Sequence, residues 1–248
     1  MEARLKDGGR LIYAGAGTSG RLAVQDGAEL MPTFSWPAKR LVLLMAGGDK
    51  ALVRAVEGAE DDAKHAAALI KKHKVGAGDV LIAVAASGTT PFTLACLRGA
   101  KKKGALTIGI ANNIATPLLK EADHPILLKT GGEPIAGSTR MNAGTAQRIT
   151  LLLLSSLVMI RMGRVYDGMM VDVQATNKKL ARRSELMLMH LTRRKEKDVR
   201  AALKRAEGSV KLAVLLLKGC ALKHAKALLK RGDGNLRRAL AELGTRSQ

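Results

Sequence analysis

The sequence predicts an α/β fold: a five-stranded parallel sheet sandwiched by helices, followed by a small C-terminal helical subdomain. Three observations point there. Short apolar runs rich in Val, Ile and Leu alternate with helical patterns. Parallel strands buried on both faces read as such continuous runs. Beyond about residue 175 the β-rich runs stop, and only amphipathic segments punctuated by glycine remain.

In chain order, a strand at 11–14 enters a glycine turn at Gly15 and is followed by a helix at 19–29. Further strands are expected at 41–45, 80–85, 106–110 and 125–128, with helices at 50–72, 91–103 and 116–122 between them. After Gly137 a long helix begins near Ser138 or Thr139 and runs to Met162. Its apolar stretch 149–160 is too short to span a bilayer and reads as a buried helix. Another helix starts around Thr176, and segments 197–206, 210–217, 222–230 and 236–243 form a bundle divided by Gly208, Gly219, Gly232 and Gly234.

The length, 248 residues, suits one α/β domain plus an appendage, and 47% hydrophobic residues can bury a core. With five aromatic residues in all, that core is aliphatic and methionine-rich. Cys96 and Cys220 lack paired spacing, and 1–10 lacks the apolar core of a signal peptide, so a reducing, cytoplasmic location is expected. Of the net charge of +21, +14 falls in residues 178–248. That region has no aromatic residue to stack on bases, so a solvated helical face is expected there rather than a nucleic-acid surface. The five histidines show no metal-ligand spacing.

Ligands of open parallel sheets bind beyond the carboxyl ends of the strands. Three hydroxyl clusters are expected there: Thr18 and Ser19 after the first strand, Ser87, Thr89 and Thr90 after the third, and Ser138 and Thr139 after the fifth. Each precedes a helical segment whose first amides can meet an anion. Gly15-x-Gly17-x-x-Gly20, with Asp49 after the next apolar run, also fits a dinucleotide fingerprint. That reading gives no reason for the other two loops, so a phosphate ligand is preferred.

The motifs Gly15-Ala16-Gly17-Thr18-Ser19-Gly20-Arg21, Ala46-Gly47-Gly48-Asp49, Ala55-Val56-Glu57-Gly58-Ala59-Glu60-Asp61, Ala85-Ala86-Ser87-Gly88, Gly137-Ser138-Thr139-Arg140, Ala143-Gly144-Thr145-Ala146-Gln147 and Met170-Val171-Asp172-Val173-Gln174-Ala175-Thr176-Asn177 run nearly the whole chain. They resemble N-acetylmuramic acid 6-phosphate etherases, bacterial enzymes of peptidoglycan recycling that share the sugar isomerase (SIS) fold with the glucokinase regulatory protein. The resemblance implies a SIS phosphosugar-binding domain at 1–175, a linking helix at 176–191 and a basic, UBA-like helical subdomain at 192–248. It implies a homodimer, no metal and no organic cofactor. The implied reaction is elimination of D-lactate from a phosphorylated amino sugar and hydration at C3, with Glu29 as acid and Glu60 as base. Glu57, three residues before Glu60 and on the same face of a predicted helix, remains a rival for the base. Lys179 is implied to reach the phosphate from the partner subunit.

Several positions depart from the family pattern. Ala28, Leu30 and Met31 replace a serine, a cysteine and a proline around the acid, Thr89 replaces an arginine, and Asn142 replaces a lysine. Relatives usually carry a further helical segment ahead of the first strand, so apolar surface left uncovered at a dimer interface is expected. A SIS-fold module that senses a phosphosugar without turning it over is the alternative to the enzyme.

Overall fold

The computed structural model describes residues 1–173 and 178–245. The chain divides into two compact units, Met1–Met31 with Trp36–Ser155, and Pro32–Ser35 with Ser156–Gln248. The division falls inside the long helix, between Ser155 and Ser156.

The first unit opens with α1 (Glu2–Lys6), which the charged sequence conceals and which buries Leu5 completely. Then follow β1 (Leu11–Gly15), α2 (Gly17–Phe34), β2 (Leu41–Met45), α3 (Lys50–Val53), α4 (Ala63–Lys72), β3 (Val80–Val84), α5 (Pro91–Lys102), β4 (Leu106–Ala111), α6 (Pro117–Glu121), β5 (His124–Leu127) and α7 (Asn142–Arg161). The five strands form one parallel sheet in the order β2-β1-β3-β4-β5, as expected for an α/β fold. Leu11 registers with Leu41 on one side and with Val80 on the other. Every residue of β1 and β3 is buried, because helices cover both faces. Ile12, Ala14, Leu81 and Ala83 pack with Ala66, Ile70, Phe92 and Leu97 of α4 and α5. On the opposite face Tyr13 meets Asp26 of α2, which also meets Ser155 of α7.

The amino ends of the central strands are clamped. Arg10 Nη2 lies 2.7 Å from Asp79 Oδ2, and Arg10 Nη1 donates to the His73 carbonyl at 2.8 Å. Bonded to this guanidinium and to backbone amides, Asp79 is held below the usual carboxylate range. The carboxyl ends are left for a ligand.

Two sequence expectations need correction. The helix expected over 50–72 is broken: Arg54 is extended, Gly58 takes φ +69°, a short 3-10 turn covers Ala59–Asp61, and Asp62 Oδ1 caps the new helix by accepting from the His65 amide at 2.8 Å. Glu57 and Glu60 therefore share no helical face. The long helix, expected to be buried, covers the sheet with one side only. Gln147 Nε2 donates to Asn112 Oδ1 at 2.8 Å on its inner side, whereas Ile149, Leu153 and Leu157 are 54%, 56% and 56% exposed. Its 20 residues could cross a bilayer by length and composition alone, but its inner face is hydrogen bonded to the sheet domain.

In the second unit a hairpin pairs β6 (Val165–Tyr166) with β7 (Met169–Met170). Asp167 and Gly168 turn it with φ +49° and +69°, the left-handed pair that an Asp-Gly dipeptide between apolar residues favours. Helices α8 (Lys178–Thr192), α9 (Glu196–Arg205), α10 (Val210–Leu217), α11 (Leu222–Arg231) and α12 (Leu236–Thr245) follow. The helix start expected at Thr176 lies outside the described residues. Val199, Val214, Leu215 and Leu228 make a second core. Buried Lys211 is neutralised by Asp172 at 2.6 Å and donates to the Gly234 carbonyl at 2.7 Å.

Candidate active site

The turn after β1 sets the site. A Cβ added to Gly15 would lie 2.8 Å from Gly20 Cα, and one added to Gly20 would lie 2.6 Å from the Gly15 carbonyl oxygen. Only glycine at both positions lets the first turn of α2 stand directly over the strand end, where its amides and the Thr18 and Ser19 hydroxyls can face an anion. After β3 the backbone turns through Gly88 at φ +68°, and a Cβ there would overlap the Thr116 hydroxyl. The Thr89 amide donates to Ser87 Oγ at 3.2 Å, and Ser87 Oγ lies 3.4 Å from Thr90 Oγ1. Thr90 precedes Pro91 at the start of α5, so a second helix N-terminus opens onto the same place.

These loops enclose a cavity of about 410 Å³. It brings together Thr18, Ser19, Ser87, Thr89, Thr90 and Thr139 with Glu60 and Asp61. A second cavity of about 250 Å³ adjoins it, sharing Ala16, Gly17 and Glu60 as a common wall. Glu57 lines only this second one, so of the two candidate bases Glu60 alone faces the hydroxyls.

Three predicted site residues line neither cavity. Ser138 is half-buried outside both linings, and its amide donates to the Ile135 carbonyl at 2.9 Å. Glu29 is exposed on α2 and lines neither cavity. Lys179 is exposed in the first turn of α8, in the second unit. Among the described residues no group of three His, Cys, Asp or Glu is arranged to hold a metal.

Asp26, Arg21 and Asp61 received no role from the sequence. Asp26 is buried at 4% exposure, accepting from the Tyr13 hydroxyl at 2.6 Å and from Ser155 Oγ at 3.1 Å. Burial pushes its carboxyl above the usual range despite these bonds and the nearby Arg148 charge, and burial with Asp26 alongside pushes the Tyr13 phenol well up. Both groups brace β1, α2 and α7 and take no part in lining the cavities. A carboxylate on a helix next to small residues reads as solvated, and no spacing rule marks it otherwise.

Comparison with known proteins gives consistent findings. A model of the glucokinase regulatory protein N-terminal SIS domain matches residues 1–101, and one of the SIS domain matches residues 52–157. The N-acetylmuramic acid 6-phosphate etherase of Deinococcus radiodurans is 50% identical over 246 residues, spanning 98% of this chain and 81% of that protein. The etherase of Halalkalibacterium halodurans is 43% identical, spanning 96% and 80%. A solved phosphoheptose isomerase from Francisella tularensis is 16% identical over 64% of this chain and 78% of its own, with a TM-score of 0.46.

Proposed function

This chain belongs to the N-acetylmuramic acid 6-phosphate etherase family, and on that premise we propose how its residues carry out the reaction. The protein is a carbon–oxygen lyase that removes D-lactate from N-acetylmuramic acid 6-phosphate and leaves N-acetylglucosamine 6-phosphate. The sugar phosphate rests on Thr18, Ser19, Ser87, Thr90 and Thr139. With the ring open, Glu60 takes the C2 proton, which the adjacent aldehyde acidifies. The C3–O bond then breaks, its electron pair leaves with the lactate oxygen, and the Glu29 carboxyl, which lines neither cavity and would reach the ether only where two copies of the chain meet, supplies that oxygen's proton. Water adds at C3. The observation that carries this reading is the place of Glu60, on the wall common to a hydroxyl-lined cavity and its neighbour.

The direct test is D-lactate release from N-acetylmuramic acid 6-phosphate by the purified protein. A protein that binds the phosphosugar and releases none is a sensor instead. Ser87→Ala is expected to weaken binding of N-acetylglucosamine 6-phosphate about tenfold, because a hydrogen bond to a charged group contributes roughly 1.5–3 kcal/mol. Calorimetry showing unchanged affinity would remove Ser87 from the phosphate site. Thr89 lines the same cavity where relatives carry a cation, so here the anion relies on neutral donors.

The protein acts as a cytoplasmic homodimer in this reading. Both cysteines are free and buried, which suits a reducing compartment. The stripe of Ile149, Leu153 and Leu157 is the apolar surface a second copy would cover. Asp26 and Ser155 tie α2 to α7, and we place Glu29, exposed on α2, where two copies meet. Leu153→Glu with Leu157→Glu is expected to convert a species of twice the 26.3 kDa chain mass into monomer by analytical ultracentrifugation. Mixing inactive Glu60→Ala with inactive Lys179→Ala protein is expected to restore part of the activity. No recovery after verified subunit exchange would remove Lys179 from a shared site.

A further inference from the structure

The smaller cavity, on the far side of Glu60, has no occupant in the mechanism above. Ala51, Ala55, Val56 and Ala59 give it small apolar walls, and among the described residues that line it Arg21 is the only cation. Arg21 leaves α2 and crosses to the 51–54 wall, where Nε donates to the Ala51 carbonyl at 2.8 Å and Nη2 to the Arg54 carbonyl at 3.4 Å. The guanidinium is thereby fixed, and Nη1 has no hydrogen-bond partner among the described residues. Glu57 and Glu60 line the same space but are solvent-exposed and form no ion pair with Arg21.

We infer that this alcove is the subsite for the lactyl ether arm, with the lactyl carboxylate on Arg21 and the lactyl methyl against Ala55 and Val56. The inference rests on the reading of Glu60 as the base. The proton removed is on C2 and the ether is on C3, so the arm departs from the carbon next to the one that Glu60 touches. With the phosphate at the hydroxyls, the arm's free space lies past Glu60. The arm consists of one methyl and one carboxylate, and the alcove offers apolar walls and one guanidinium held for a planar anion. A substrate with two anionic ends then meets two separate anion sites, whereas the sugar product uses one of them.

The test compares ligands with and without the arm. In an inactive Glu60→Ala background, calorimetry with N-acetylmuramic acid 6-phosphate and with N-acetylglucosamine 6-phosphate reads the subsite without chemistry. Changing Arg21→Met is expected to weaken the lactyl ligand about tenfold to a hundredfold and the product sugar by no more than about twofold. Ala55→Leu, at an exposed position that tolerates a larger side chain, is expected to do the same by filling the alcove. Equal weakening of both ligands by both variants would make Arg21 a brace for the 51–54 wall and overturn the inference. So would affinities for the lactyl ligand that neither variant changes. Failure of Glu60 as the base appears separately, as lactate release that survives Glu60→Ala.

Discussion

Glu60→Ala is expected to lose D-lactate release and exchange of the C2 hydrogen with deuterated water together, because no group remains to take the proton. Glu29→Ala is expected to lose lactate release while keeping part of the exchange, since the base still acts and only the leaving group departs unassisted. General acid–base groups contribute about 10²–10⁴-fold, so both losses are large enough for simple assays. Mass spectrometry of sugar recovered from deuterated buffer separates the roles. Exchange that survives Glu60→Ala but vanishes in Glu29→Ala would reverse them. Exchange lost only in Glu57→Ala would move the base to the other carboxylate of the smaller cavity.

Asp26→Ala is expected to destabilise the protein by about 2–4 kcal/mol, because it strands the buried Tyr13 hydroxyl and removes the bond to Ser155. For a domain of this size the melting temperature falls by roughly 5–15 °C. Asp26→Asn retains a polar group of the same shape for both partners and removes the charge. Since burial raises the folded carboxyl above its ordinary value of 3.8, its contribution to stability is fully present below that value and is lost as pH rises through the folded pKa. Asp26→Asn therefore gains on the wild type as pH climbs from 3.8 upward. A stability difference that is flat across that window by thermal denaturation would show that the carboxyl is ionised at no cost.

The strands were legible because each is a short apolar run bounded by turn residues, and the runs at 11–14 and 80–85 overlie β1 and β3 within one residue at their ends. The break after Val53 was not. Alanine-rich 50–72 has no proline, and one left-handed Gly58 with an Asp62 cap decides the matter only once the segment packs. Periodicity likewise marks α7 as apolar without saying which side meets the sheet; the inner side is chosen by Gln147 and Ser155, whose polarity is the opposite of the expected signal. Within the site, the hydroxyl loops were legible one by one as glycine-bearing helix starts. Their convergence with Glu60 was not, because it depends on the loop at 55–61 leaving the helix. Arg21 lay in plain view inside a motif, but its reach to the Ala51 and Arg54 carbonyls is a property of the folded turn.

The sheet order has a consequence for biosynthesis. β1 precedes both of its neighbours, Leu41–Met45 and Val80–Val84, and its clamp partner Asp79 comes 69 residues after Arg10. At about 5–20 residues per second on the ribosome, roughly 3–14 s pass before that distant partner has even been synthesised. During that time Leu11, Ile12 and Tyr13 form an apolar segment with its central pairing unmade, open to association with other nascent chains. The central pairing of the sheet therefore waits on residues made well after β1, and the yield of soluble protein is expected to respond to translation speed and to chaperones that hold this segment.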